Sequence, residues 1–135
     1  MPTVHPTIAE WQANGEEIGL VEFAPSQDAP EHFPYYALPN EVELIGVFEI
    51  DAVCLRDDGS VCIFGNESRE NVCPAAKDQD CFVNSMEEVK VHFEKCKTDS
   101  DYCNDLEAAI AVREKCTELA GGEAFQGFFT SLIGA

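Results

Sequence analysis

Seven cysteines, Cys54, Cys62, Cys73, Cys81, Cys96, Cys103 and Cys116, and three histidines are the residues of this chain best equipped for chemistry. A structural zinc needs soft ligands converging as a tetrahedron, usually delivered by paired Cys-x-x-Cys knuckles. No such pair occurs here. His92 and Cys96 stand four residues apart, a spacing that puts both on one helix face, and Cys73 and Cys81 precede them. Without knuckle spacing the simpler reading is that His92 is a surface residue and the cysteines are small core fillers. A thiol nucleophile needs a nearby base and a site that lowers its pKa. Cys73, beside Pro74 in a loop, is the most exposed candidate, but no signature surrounds it. A zinc deaminase would show His-x-Glu and Pro-Cys-x-x-Cys, and neither is present. Carboxylates are too abundant for any pair to stand out as acid and base, and Asp57-Asp58-Gly59 lacks the rest of a calcium loop. There is no Gly-rich phosphate loop. The expectation is therefore a protein that is not an enzyme, with no catalytic residue, no metal and no cofactor.

Charge is the next signal. The chain carries 26 Asp and Glu against 8 Lys and Arg, a formal net charge of −18 over 135 residues. Every Lys and Arg lies at or after Arg56, so residues 1–55 hold ten carboxylates and no compensating Lys or Arg. Such a field repels nucleic acid and anionic lipid and speeds encounter with basic partners. General solubility, or adaptation to high salt, would give the same composition. At 45% apolar residues the chain has the material for a hydrophobic core and is not an acidic disordered tail. The start, Met-Pro-Thr-Val-His-Pro, shows neither a basic n-region nor an apolar h-region, and no apolar run is long enough for a bilayer. A cytoplasmic protein with reduced thiols and no membrane contact is expected.

The elements that must position these groups can be read in order. Thr7 and Glu10 have capping-box spacing, so a short helix is expected over 8–14, with Ile8 and Trp11 inward and Gly15 as its stop. Ile18, Leu20, Val21 and Phe23 suggest a strand. Residues 25–40 hold Pro25, Pro30, Pro34 and Pro39 and read as an extended loop. A strand follows over 41–50, bent near Gly46. Residues 52–56 and 60–64 form a hairpin about Asp57-Asp58-Gly59. A two-residue turn would pair Cys54 with Ile63, whereas a three-residue loop would set Cys54 opposite Cys62. Both faces of this hairpin are apolar, so it should be central and covered on both sides. Residues 65–80 read as a surface loop, 81–83 as a brief strand, and Ser85 with Glu88 as the cap of a helix over 86–97 whose buried stripe is Val89, Phe93 and Cys96. Asp99-Ser100-Asp101 should start one long helix, with an apolar side that includes Leu106, ended by Gly121-Gly122. A final helical stripe, Phe125, Phe128, Phe129, Leu132 and Ile133, should dock on the core, and as a Phe-rich tail it is the first candidate for a dimer seam. The fold class expected is α+β: a single domain over 1–135, with an antiparallel sheet of about four to six strands flanked by N-terminal and C-terminal helices.

Leu-Ile-Gly at 44–46, Val-Cys-Leu at 53–55, Asp-Gly-Ser-Val at 58–61 and Phe-Val-Asn-Ser at 82–85 fall in an order that resembles the SUKH superfamily. The resemblance covers about residues 44–96. It implies the same α+β fold, and it implies an immunity protein that neutralises a toxin of a contact-dependent or secreted polymorphic system, often a nuclease or deaminase. The expected partner is the basic domain of such a toxin, bound without direct nucleic-acid contact. The expected partner-binding residues are Asp57, Asp58, Glu67, Glu70, Asp78 and Asp80. An acidic adaptor or DNA mimic that binds a DNA-handling factor would use the same charge, and a small metal- or redox-linked domain would use the cysteines.

Overall fold

A computed structural model describes residues 2–28, 41–65 and 72–135. The elements are α1 (Pro6–Asn14), β1 (Glu17–Ile18), β2 (Val21–Phe23), β3 (Val42–Phe48), β4 (Asp51–Arg56), β5 (Val61–Phe64), β6 (Val72–Ala76), α2 (Gln79–Thr98), α3 (Ser100–Cys103), α4 (Leu106–Ala120) and α5 (Gln126–Ile133), with short 3-10 turns at Ser26–Asp28 and Glu123–Phe125. The six strands form one antiparallel sheet in sequence order, β1-β2-β3-β4-β5-β6. This is the expected α+β architecture. The calls that fall in residues 29–40 and 66–71 lie outside the described residues.

α1 starts earlier than its capping box suggests. Pro6 occupies the first turn, where a missing N–H costs nothing, and the helix is capped by His5, whose Nδ1 accepts from the Thr7 N–H at 3.0 Å. Gly15 ends it at φ +59, and Ile8 and Trp11 are buried as expected. The segment expected as one strand over 18–23 is instead a tight hairpin. Gly19, at φ +61, reverses the chain so that Ile18 pairs with Val21, and Leu20 is left at the exposed tip.

The bend in β3 is a bulge. Leu44 pairs with Cys54 and Gly46 with Val53, leaving Ile45 unpaired between them. The bulge shifts the alternation, so that Leu44 and Val47 share one face and Ile45 and Phe48 the other, and Leu44 and Ile45 are both fully buried. A Cβ at Gly46 would sit 2.9 Å from the Glu22 carbonyl oxygen of β2, so only glycine admits this approach. The β4–β5 hairpin takes the three-residue loop. Arg56 N–H donates to the Ser60 carbonyl at 2.9 Å, Gly59 takes φ +89, and Cys54 lies opposite Cys62. Both are free thiols. One sheet face carries Val53, Leu55, Val61 and Ile63 into the helices; the other carries Leu44, Val47, Ala52, Cys54, Cys62 and Phe64, equally buried. The central hairpin is thus covered on both sides.

Residues 72–83 correct the sequence reading. Residues 72–76 are an edge strand, not loop. Among the described residues β6 pairs only with β5, so Pro74 removes no central ladder bond there, and a register shift sits beside it. The expected strand at 81–83 is the first turn of α2. Asp78 is the cap: its Oδ1 accepts from the Cys81 N–H at 2.8 Å, and Asp80 lies in the acidic first turn. Ser85 is therefore not a cap. It is buried, and its hydroxyl donates back to the Cys81 carbonyl at 2.7 Å and reaches the Cys116 carbonyl of α4 at 3.2 Å. The long helix expected after Asp99 is two helices. Asp99 caps α3 through the Tyr102 N–H, Asp105 caps α4 through the Ala108 N–H, and Leu106, at 63% exposure, lies outside the core. Gly121 ends α4, and its N–H bonds back to Glu118. α5 buries Phe128, Phe129 and Leu132, and Phe128 packs 5.4 Å from Phe48 and 6.4 Å from Phe82, ring centre to ring centre. Those rings are core, so the tail does not present the Phe-rich seam expected of it.

Candidate functional site

The strand register gathers one end of the sheet. Val42 pairs with Arg56, and Val61 with Ala76, so the start of β3, the β4–β5 turn and the exit of β6 toward α2 lie side by side. This end carries Glu41, Asp57, Asp58, Asp78 and Asp80, with Arg56 and Lys77 among them. The structure thus places four of the expected partner-binding residues at one end of the sheet as two separate pairs, Asp57 with Asp58 and Asp78 with Asp80. Glu67 and Glu70 lie outside the described residues.

The four do different work. Asp58 Oδ1 accepts from the Ser60 N–H at 2.9 Å and from its hydroxyl at 2.6 Å, and these bonds hold its carboxyl below the usual carboxylate range. Asp78 is held low in the same way, chiefly by the Cys81 N–H, with Lys77 adding a smaller pull. Both are local structural acceptors that keep their charge. Asp57 is exposed at the turn. Asp80 has 82% of its side chain exposed and lies 3.1 Å from His5 Nε2. Because His5 Nδ1 accepts from Thr7, its ring proton resides on Nε2 and faces Asp80. The His5 backbone N–H donates to Gln79 Oε1 at 2.7 Å, and Gln79 Nε2 donates to the Thr3 carbonyl at 2.8 Å. The N-terminal segment is pinned to the first turn of α2 by this clamp, which steadies the acidic end. Such an array accepts hydrogen bonds and draws cations. Its fixed positions suit guanidinium and ammonium groups on another protein.

Three of the thiols are buried and poorly placed for chemistry. Burial pushes Cys62 up to about 11 and Cys116 up to about 12, and burial together with Cys62 pushes Cys54 up as well. Cys73, expected to be the most exposed, is half-buried on β6 with its thiol pushed up by burial; Cys103 is the exposed one. His92 is not a surface residue. It is buried, with Nδ1 2.8 Å from the Tyr102 hydroxyl and Nε2 3.9 Å from Cys96 Sγ, and burial holds its pKa down. No group of three or more His, Cys, Asp or Glu among the described residues is disposed to hold a metal ion. No described helix is long and apolar enough to cross a membrane.

The sequence reading missed one feature at the far end of the sheet. A cleft of about 770 Å³ opens between the β1–β2 hairpin, α2 and α5. Its contributors, Glu16 to Leu20, the α2 face from Lys90 through Phe93 to Lys97, Cys103 and Ser131 to Gly134, are far apart in sequence, and only Gly19 hinted at a close approach. No protein-family model, curated protein or solved structure matches the chain.

Proposed function

We propose that this protein is an immunity protein of SUKH type, which binds a basic toxin domain and blocks it from the cytoplasm of the producing cell. The observation that carries the reading is the acidic sheet end, where Asp57 and Asp58 of the β4–β5 turn and Asp78 and Asp80 at the start of α2 share one end of a scaffold fixed by a bulged sheet and a capped helix. A toxin that cleaves or modifies nucleic acid must offer cations to phosphates, and fixed carboxylates can occupy those cations instead. The resemblance of residues 44–96 to the SUKH superfamily supports the same role, as does the excess of 26 carboxylates over 8 Lys and Arg. The buried, protonated thiols of Cys54, Cys62 and Cys116 act as packing rather than as reaction centres.

Coexpression with the product of the neighbouring gene tests it. The expected outcome is relief of toxicity and co-purification of the two chains. Asp57→Lys combined with Asp80→Lys should slow association by about tenfold at low salt and blunt its salt dependence. If no adjacent toxin is neutralised and none co-purifies, the immunity reading fails. Recovery of a DNA-handling factor instead would assign the acidic end to an adaptor or DNA mimic.

A further inference from the structure

The corner of the molecule opposite the acidic end combines four features that local folding does not require. Glu49 occupies the first central position of the two-residue β3–β4 turn at φ +54, a conformation that favours glycine. Ile50, the second turn residue, is 63% exposed. Leu20, at the tip of the neighbouring hairpin, is 49% exposed, and its carbonyl accepts from the Glu49 N–H at 3.3 Å, so the two apolar tips stand together. Glu17 lies directly opposite Glu22 across β1 and β2, a like-charge pairing that weakens a sheet.

Beside these tips lies the cleft of about 770 Å³, within the roughly 300–1,000 Å³ range of ligand pockets. Leu20 and Leu132 contribute apolar lining, and Phe93 presses so close to Gly19 that a Cβ there would meet its ring at 2.6 Å. The rim is acidic. Lys90 is held 3.0 Å from Glu16, and Glu94 and Glu10 add their negative field at the same ammonium. Carboxylates therefore exceed cations around an apolar recess.

We propose that this corner is a docking surface for a basic segment of a partner polypeptide that carries one apolar anchor side chain. The anchor enters the cleft beside Leu20 and Phe93, and the flanking Lys or Arg side chains lie against Glu17, Glu94 and, beside the Leu20 tip, Glu49. Charge selects this occupant. A second copy of the chain would bring two acidic rims together, and anionic lipid would be repelled by both. β4 separates the corner from Asp57 by roughly 17 Å at the usual rise per strand residue, so the surface is distinct from the acidic end and does not rest on its assignment.

The test titrates capped pentapeptides into ¹⁵N-labelled protein and follows amide shifts. The probes are Lys-Lys-Leu-Lys-Lys, its counterpart with Ser at the centre, and Glu-Glu-Leu-Glu-Glu. The basic Leu peptide should shift Gly19, Leu20, Ser131 and Gly134 and bind at least about tenfold more tightly than the Ser peptide, the acidic peptide not at all. Leu20→Ser with Ile50→Ser alters only exposed tips and should narrow that difference, and Glu94→Lys should weaken both basic peptides. The proposal is overturned if the Leu and Ser peptides bind equally, if the shifts map to the Asp57–Gly59 turn, or if the cleft amides shift with protein concentration alone. Because Asp57 and Asp80 are untouched, failure here leaves the immunity reading standing, and the reverse holds.

Discussion

Labelling of the native thiols is expected to divide the seven cysteines by burial, with the central hairpin pair and Cys116 at the slow end. The ordinary thiol value here is 9.0, and burial lifts Cys62 to about 11 and Cys116 to about 12. Thiolate at pH 8 falls by about 100-fold and about 1,000-fold, but a more basic thiolate is also the better nucleophile, which returns roughly half of the loss on a logarithmic scale. Ionisation alone then slows Cys62 by about tenfold and Cys116 by about fortyfold. Access adds to this. Cys54, Cys62 and Cys116 are at most 1% exposed, so an alkylating reagent must wait for an opening of the core that costs several kcal/mol. Together the factors put all three more than 100-fold below Cys103, which is exposed. Iodoacetamide labelling of folded protein, quenched over time and mapped by peptide mass spectrometry, reads each site separately. All seven should label at similar rates in denaturant. Labelling of Cys54 or Cys62 within about tenfold of Cys103, or a Cys54–Cys62 disulfide in native protein, would refute the reasoning that these thiols are core packing.

Three further outcomes follow from individual contacts. Gly46→Ala should cost about 1–3 kcal/mol in urea unfolding, because the new Cβ meets a backbone oxygen that cannot rotate away, whereas Gly15→Ala, with nothing near its Cβ, should cost only about 1 kcal/mol for its positive φ. Equal losses would show that the close approach of β2 and β3 is not limiting. Asp78→Ala should lower stability by about 1 kcal/mol through loss of the α2 cap, while Asp57→Ala should stay within about 0.5 kcal/mol, as thermal unfolding can check. His92 has a folded pKa below its ordinary 6.5, so its contribution is complete above that value and is lost as pH falls toward the folded pKa. Stability measured at about pH 7.5 and about pH 5 should therefore drop more in the parent than in His92→Phe, and a parallel drop would show that His92 titrates as it does in the unfolded chain.

What was legible in the sequence was what short-range chemistry dictates. Gly15 and Gly121 stop helices because an αL or otherwise positive φ is local, and Asp57-Asp58-Gly59 makes its turn whatever surrounds it. The bulge at Ile45 followed from an apolar run interrupted by glycine, and the apolar faces of β4 and β5 foretold burial on both sides. The misreadings arose where two local solutions compete. Ser85 had the spacing of a cap, but Asp78 lay upstream with an acidic first turn after it, and packing of Phe82 and Val83 against the sheet extended the helix back to it. Pro74 looked like a loop residue because nothing in the sequence says that a strand will have an edge.

The chain alone thus determined the class of fold, the acidic character and the central β4–β5 hairpin. Tertiary structure decided which carboxylates share an end of the sheet. Asp57 and Asp80 come from segments more than twenty residues apart, and antiparallel pairing of Val61 with Ala76 is what sets them at one end of the sheet. The apolar cleft at the other end is likewise a product of three distant segments, held open where Gly19 admits Phe93. Turns and caps depend on neighbours a few residues away, whereas a surface depends on how the core stacks its elements, and no local pattern encodes that.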